Sequence, residues 1–178
     1  MENSATRIFE DALTFALEKL GEKDIRLREQ QYEAIKNITV DNQDTVCVLP
    51  TGYGKSLIYQ LLPDVFDYYL SKTSRKSCKT DNFCSSTIIV ISPLNALMLD
   101  QVNKLQKYVK VCILKEGVEE NISPKNMVEK IRQPSQIIFT HPEVLIENKS
   151  VFHTLSSTSF KYRMKAIVID EAHLIKEW

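Results

Sequence analysis

Leu49-Pro50-Thr51-Gly52-Tyr53-Gly54-Lys55-Ser56 is a glycine turn followed at once by a lysine and a hydroxyl. It sits between the short apolar run Thr45–Leu49, which reads as a buried strand, and a segment with helical spacing from Lys55 to about Leu70. Glycines at 52 and 54 permit backbone conformations that a β-carbon would penalise, so successive N–H groups can converge on an anion at the start of the following helix. Thr51, Gly52, Tyr53 and Gly54 form the cradle, Lys55 can reach the outer phosphates of a triphosphate, and the Ser56 hydroxyl suits a hard cation such as Mg²⁺. The strict phosphate-loop pattern would place glycine at position 49, where this chain has Leu, so the match is to a relaxed form. A Gly-Lys-Ser tripeptide alone occurs by chance; its place between a strand and a helix is what gives it weight.

The second half of such a site lies near the other end of the chain. Ala166-Ile167-Val168-Ile169 is apolar enough to be a central strand, and it runs directly into Asp170-Glu171-Ala172-His173. Asp170 is placed to hold Mg²⁺, leaving Glu171 free to orient and deprotonate a water. By itself this would be a strand ending in a solvated acidic turn; the phosphate loop changes that reading. ATP and Mg²⁺ are the cofactors these two motifs imply together.

Working outward, the hydrophobic pattern alternates between two periods. Ile8, Ala12, Phe15, Ala16 and Leu20 predict an amphipathic helix over 4–20, and Tyr32, Ile35 and Ile38 a second over Glu29–Ile38. Then follow strand Thr87–Ile91, helix Ala96–Tyr108, strand Val109–Leu114, a short helix around Asn126–Ile131, strand Gln136–Thr140, a helix after Pro142, and the strand ending at Ile169. Short β-rich runs separated by helices predict an α/β fold, a mostly parallel sheet with helices on both faces and its ligands at the strands' carboxyl ends. Ser71–Ser86 breaks the rhythm: polar and aperiodic, it reads as an exposed inserted loop. Its Cys78 and Cys84 lack the spacing and second pair of a zinc site, and Lys72, Arg75, Lys76 and Lys79 read as solvated charge.

With 178 residues and 43% hydrophobic content the chain can bury one sizeable core. Lys plus Arg and Asp plus Glu balance at 23 each, which excludes binding to nucleic acid through a global positive field. Four scattered cysteines suit reduced thiols. No stretch approaches the ~18 to 20 apolar residues of a membrane span, so a soluble cytoplasmic or nuclear protein without membrane contact is expected.

Across residues 20–178 the chain resembles the first RecA-like ATPase domain of a superfamily 2 helicase, and most of all the RecQ family of DNA helicases. Leu27-Arg28-Glu29-Gln30-Gln31 resembles the segment in which an Arg stacks on adenine and a Gln reads its edge, roles that fall on Arg28 and Gln31. Pro50–Gln60 resembles that family's phosphate loop, including the Tyr59-Gln60 that follows. Val90–Val102 is the most family-specific stretch; the resemblance implies that its Ser92-Pro93-Leu94-Asn95 turn lies on a DNA-binding face, with Ser92, Pro93 and Asn95 as contacts. Phe139–Leu145 resembles the next motif, from which His141 and Val144 depart. Ile169–Trp178 matches the acidic motif and the tryptophan opening an aromatic-rich loop; by resemblance Trp178 senses DNA and His173 links the ATP site to a partner domain. No aromatic stands between Leu20 and Ile25, where many relatives carry one.

The resemblance implies a lead-in over 1–26, an ATP-binding helicase domain over 27–178, single-stranded or partly duplex DNA as partner, 3′ to 5′ polarity, and nuclear location in a eukaryote. The family's second RecA-like domain, with its arginine finger, is absent from these residues. An arginine supplied in trans contributes ~10³ to 10⁵ in rate in comparable phosphoryl transfers, so this chain alone is expected to bind ATP and hydrolyse it slowly. Two other readings stand beside it: an RNA helicase of the same superfamily, and a short nucleotide-binding regulatory protein without unwinding activity. A phosphate-loop kinase would need a phosphoacceptor site and a lid, neither of which is visible.

Overall fold

A computed structural model of the chain describes residues 4–22, 24–73, 85–115 and 124–177. Their contacts divide into two compact units, Met1–Ser86 and Thr87–Trp178.

The first unit is built from three helices, α1 (Ser4–Lys19), α2 (Glu29–Thr39) and α3 (Lys55–Thr73). Phe9, Ala12, Leu13 and Ala16 recur at three- and four-residue intervals and form the buried stripe by which α1 packs on α3. Gly21, at φ 79°, then ends the run in a conformation glycine adopts without penalty. Phe9 meets Tyr32 of α2 edge-on at 5.4 Å, and Lys19 reaches the buried Asp64 of α3 at 2.6 Å.

The segment expected to be the first buried strand is not one. Residues 45–49 have no ladder partners among the described residues, and Val46 and Val48 are each 91% exposed. A strand exists only where a neighbour supplies its backbone hydrogen bonds, and the described residues of this unit contain no other strand. At the ends of the expected loop over 71–86, Ser71, Lys72 and Thr73 instead extend α3, and Ser86 is buried, its N–H donating to Asp67 Oδ1 at 2.8 Å. Cys78, Cys84, Arg75, Lys76 and Lys79 lie outside the described residues.

The second unit holds a four-stranded, wholly parallel sheet in the order β2-β3-β1-β4, with β1 Thr87–Ile91, β2 Val111–Leu114, β3 Ile137–Thr140 and β4 Met164–Ile169. Helices α4 (Asn95–Leu105), α5 (Pro124–Arg132), α6 (Pro142–Glu147), α7 (Lys149–Leu155) and α8 (Thr158–Arg163) make the crossovers. The single helix expected after Pro142 is thus three. Asn148 and Ser157 divide it, each accepting a backbone N–H three residues on with its side chain, Val151 at 3.1 Å and Phe160 at 3.4 Å.

Ile89, Ile138 and Leu114 pack with Met127, Ile131, Val144, Val151, Leu155 and Phe160 on one side of the sheet. Ile88, Val90, Ile137 and Phe139 point the other way and are equally buried. Burial on both faces is why these strands read as continuous apolar runs. The strand before the acidic motif, expected to be central, is an edge of this four-stranded sheet: among the described residues β4 pairs with β1 alone, and Ile167 and Ile169 are exposed.

Candidate nucleotide site

In the first unit Gly52 and Gly54 both take positive φ, 77° and 82°. The turn is drawn closed by Tyr53 N–H donating to Pro50 O at 3.2 Å, and Leu57 N–H to Gly54 O at 3.1 Å begins the ladder of α3. Thr51 and Gly52 are exposed, and nothing lies within 4 Å of the position a Gly52 Cβ would take. An open glycine turn at a helix N-terminus is where backbone N–H groups can meet a phosphate group. Lys55 opens α3, its Nζ resting 3.5 Å from Leu49 O, the long edge of hydrogen bonding and readily given up to an anion. Ser56 follows, half-buried.

Arg28, the residue before α2, donates its N–H to Gln31 Oε1 at 2.9 Å and accepts from the N–H groups of Gln31 and Tyr32. Gln31 is buried, and its Nε2 donates to the carbonyls of Tyr53 at 3.2 Å and Gly54 at 3.0 Å. The Nε2 donor and the Oε1 acceptor with which a glutamine would pair with adenine's N7 and N6 groups are thereby both engaged within the protein. Arg28 carries its guanidinium 4.0 Å above the Tyr53 ring, whose hydroxyl meets Gln30 Oε1 at 2.5 Å. Gln30 was not among the residues singled out from the sequence, since nothing in a helix's first turn marks which side chain will find a partner 23 residues away.

The second unit carries the acidic group. Asp170 N–H donates to Ile91 O at 2.9 Å, continuing the β1–β4 ladder one residue past the strand. Glu171 then turns the chain with φ 54°, its N–H donating to Asp170 Oδ1 at 3.1 Å and its carbonyl accepting from Leu174 N–H at 2.9 Å to open a 3₁₀ turn over Ala172–Glu177. His173 Nδ1 stands 3.3 Å from Glu171 Oε2, with the imidazole largely in solvent. Trp178 lies outside the described residues.

The turns after β1 and β3 adjoin because their strands do. Ser92 N–H donates to Thr140 O at 3.1 Å, and the Pro93 carbonyl accepts from His141 Nε2 at 2.9 Å. His141, a departure from the resembled motif, therefore ties the two turns together, and its Nδ1 lies 3.1 Å from Glu143 Oε2 without hydrogen-bond alignment. Of the expected strand contacts in the turn after β1, Asn95 is exposed and Pro93 partly so, whereas Ser92 is 2% exposed with no partner for its Oγ among the described residues. Ser92 is not at the surface, as a strand contact would require, because its backbone continues the β1–β3 ladder one residue past the strand.

The family model for the DEAD/DEAH box helicase matches residues 28–178. The chain belongs to that family. Among curated proteins, this helicase domain is 33% identical over 149 residues to the mouse bifunctional 3′-5′ exonuclease/ATP-dependent helicase WRN, covering 83% of the chain and 9% of that protein. It is 32% identical over 160 residues to the budding-yeast ATP-dependent helicase SGS1, covering 85% of the chain and 10% of that protein. It is 27% identical over 153 residues to the Bacillus subtilis ATP-dependent DNA helicase RecQ, covering 86% of the chain and 22% of that protein. The helicase domain therefore spans about a tenth to a fifth of the length of these relatives. Among the described residues no helix is long and apolar enough to cross a membrane, and no group of three or more His, Cys, Asp or Glu is gathered as a metal site.

Proposed function

We propose that this DEAD/DEAH helicase domain is the ATP-binding half of a RecQ-type DNA helicase that moves 3′ to 5′ and separates strands during recombination and repair, in the nucleus where the source is eukaryotic. The observation that carries the ATP reading is the open glycine cradle at the N-terminus of α3, with Lys55 held only by a long contact to Leu49 O. Lys55 neutralises the outer phosphates. Ser56 and Asp170, a hydroxyl and a carboxylate, are the hard oxygen donors that would hold Mg²⁺. Bound ATP supplies the phosphoryl group whose transfer to water drives movement along the strand. Glu171 orients and deprotonates that water, and His173, in contact with the Glu171 carboxylate, relays its state to a second RecA-like domain. Because the Gln31 amide is committed to the loop, recognition of the base falls first to Arg28. Pro93, Asn95 and Trp178 contact DNA.

Calorimetric titration of the chain with Mg-ATP tests the first half. Binding is expected, and Lys55→Ala should weaken it about ten- to a hundredfold, the range for losing a charged hydrogen bond. Equal affinity in the variant would refute the site. In a polypeptide containing the second motor domain, single-stranded DNA should stimulate turnover more than RNA. The reverse order would favour an RNA helicase, and no stimulation by either strand would favour a regulatory nucleotide-binding protein.

A further inference from the structure

Tyr53 occupies a position in the turn where only small size and backbone freedom are needed to wrap a phosphate, yet it is a large aromatic and it is fixed at both ends. Its N–H donates to Pro50 O at 3.2 Å, its carbonyl accepts from Gln31 Nε2 at 3.2 Å, and its hydroxyl is 2.5 Å from Gln30 Oε1. The ring thereby held carries the Arg28 guanidinium at 4.0 Å from its centroid. Arg28 is anchored too, through its own N–H and carbonyl at the head of α2. No carboxylate pairs with that guanidinium among the described residues, and Arg28 remains exposed although one face is covered. A guanidinium is planar and stacks on both sides, so covering one face with a rigid ring turns the other into a flat, pre-positioned surface. The ring that supports it belongs to the phosphate loop itself, since Tyr53 lies between Gly52 and Gly54.

We propose that Tyr53 is a positioning residue of the nucleotide site: its ring holds Arg28, to which recognition of the base falls, as a platform whose opposite face receives the nucleobase. The inference rests on the ATP-site reading. Stacking through a π-face reads that a base is present and how large it is, not which groups line its edge, so purines gain more from the platform than pyrimidines. Tyr53 thus supplies affinity for the base, while the backbone it belongs to supplies affinity for phosphate.

The test is calorimetric titration of the chain and its variants with ATP, UTP and inorganic tripolyphosphate, each with Mg²⁺. In Tyr53→Ala the ratio of ATP to tripolyphosphate affinity should fall roughly three- to tenfold, the scale of a cation–π contact. The preference for ATP over UTP should narrow with it. Tyr53→Phe should restore most of the ratio, Arg28→Ala should match the Tyr53→Ala loss, and the double variant should lose no more than either single one. Three results would overturn the proposal: ATP and tripolyphosphate weakened by the same factor, which would make Tyr53 a loop-shaping residue; ATP bound more tightly by Tyr53→Ala, which would place the ring in the base's seat; or strictly additive losses. Failure of the unsubstituted chain to bind ATP would instead refute the ATP site itself, and this inference with it.

Discussion

Gln31 Nε2 sits 2.8 Å from where a β-carbon on Gly54 would lie, while donating to the Gly54 carbonyl at 3.0 Å. The amide that fastens the phosphate loop to α2 would therefore have to leave its hydrogen bonds to admit a side chain at 54. Gly54→Ala is expected to be penalised twice, by φ 82° and by collision with a buried, hydrogen-bonded amide. Together these should cost about 2 to 3 kcal/mol of stability and weaken ATP in the same measurement. Gly52→Ala meets no neighbour, so it should pay only the conformational part, about 1 kcal/mol. Thermal unfolding of the two variants side by side separates the terms, and equal losses would show that the Gln31 contact does not matter.

Glu171 bears both the proposed proton abstraction and a left-handed backbone at φ 54°. Glu171→Gln keeps the shape and removes the base, so ATP binding should persist while strand-stimulated turnover in the two-domain polypeptide falls about 10² to 10⁴-fold. Glu171→Gly should abolish turnover as well but raise the unfolding midpoint, because relief of the strain is worth about 1 kcal/mol. Stimulated turnover left intact in Glu171→Gln would move the base to another residue.

Arg163 is buried at the end of α8 and closes a helix other than its own. Its guanidinium donates to the Ile131 carbonyl and, at 3.0 Å, to the Gln133 carbonyl at the C-terminal end of α5, and it stacks 4.7 Å from the Phe160 ring. A lysine cannot reproduce that fork. Arg163→Lys is expected to destabilise the protein by about 2 kcal/mol, and Arg163→Ala by at least as much, with loss visible in denaturant unfolding. A neutral Arg163→Lys would show that charge alone is required.

Asp67 gives a pH signature. Burial pushes its carboxyl above the ordinary 3.8, with Asp64 adding to the rise, against the opposing pull of its hydrogen bonds with Ser86 and the charge of Lys19. The folded chain consequently binds more proton than the unfolded one just above pH 3.8, and stability falls as pH rises through that window. Asp67→Asn keeps an acceptor for the Ser86 N–H and removes the charge. It should stand above the unsubstituted protein in stability at neutral pH, and the two should converge in acid. A gap that widened on acidification would contradict the sign.

Strand β1, read from five consecutive β-favouring residues, has the predicted limits Thr87–Ile91, and α1, α2 and α3 begin where their stripes and the Gly-Lys junction put them. Those features are legible because side-chain periodicity and glycine's conformational freedom are local properties, carried by the residues themselves. Family membership is legible for the same reason, since the phosphate loop and Asp-Glu-Ala-His are contiguous motifs. Pairing is not local. Thr45–Leu49 has the composition of a buried strand yet forms none, with Val46 and Val48 in solvent, and β4 reads as a central strand yet lies at an edge of its sheet, because a ladder depends on what lies alongside. Side-chain company follows the same rule. Sequence alone named Arg28, Gln31 and Tyr53 as nucleotide contacts; only the tertiary structure stacked Arg28 on Tyr53, locked Gln31 to Gly54 and turned Ser92 inward, since each outcome is decided by atoms distant in sequence competing for the same hydrogen bonds and the same space.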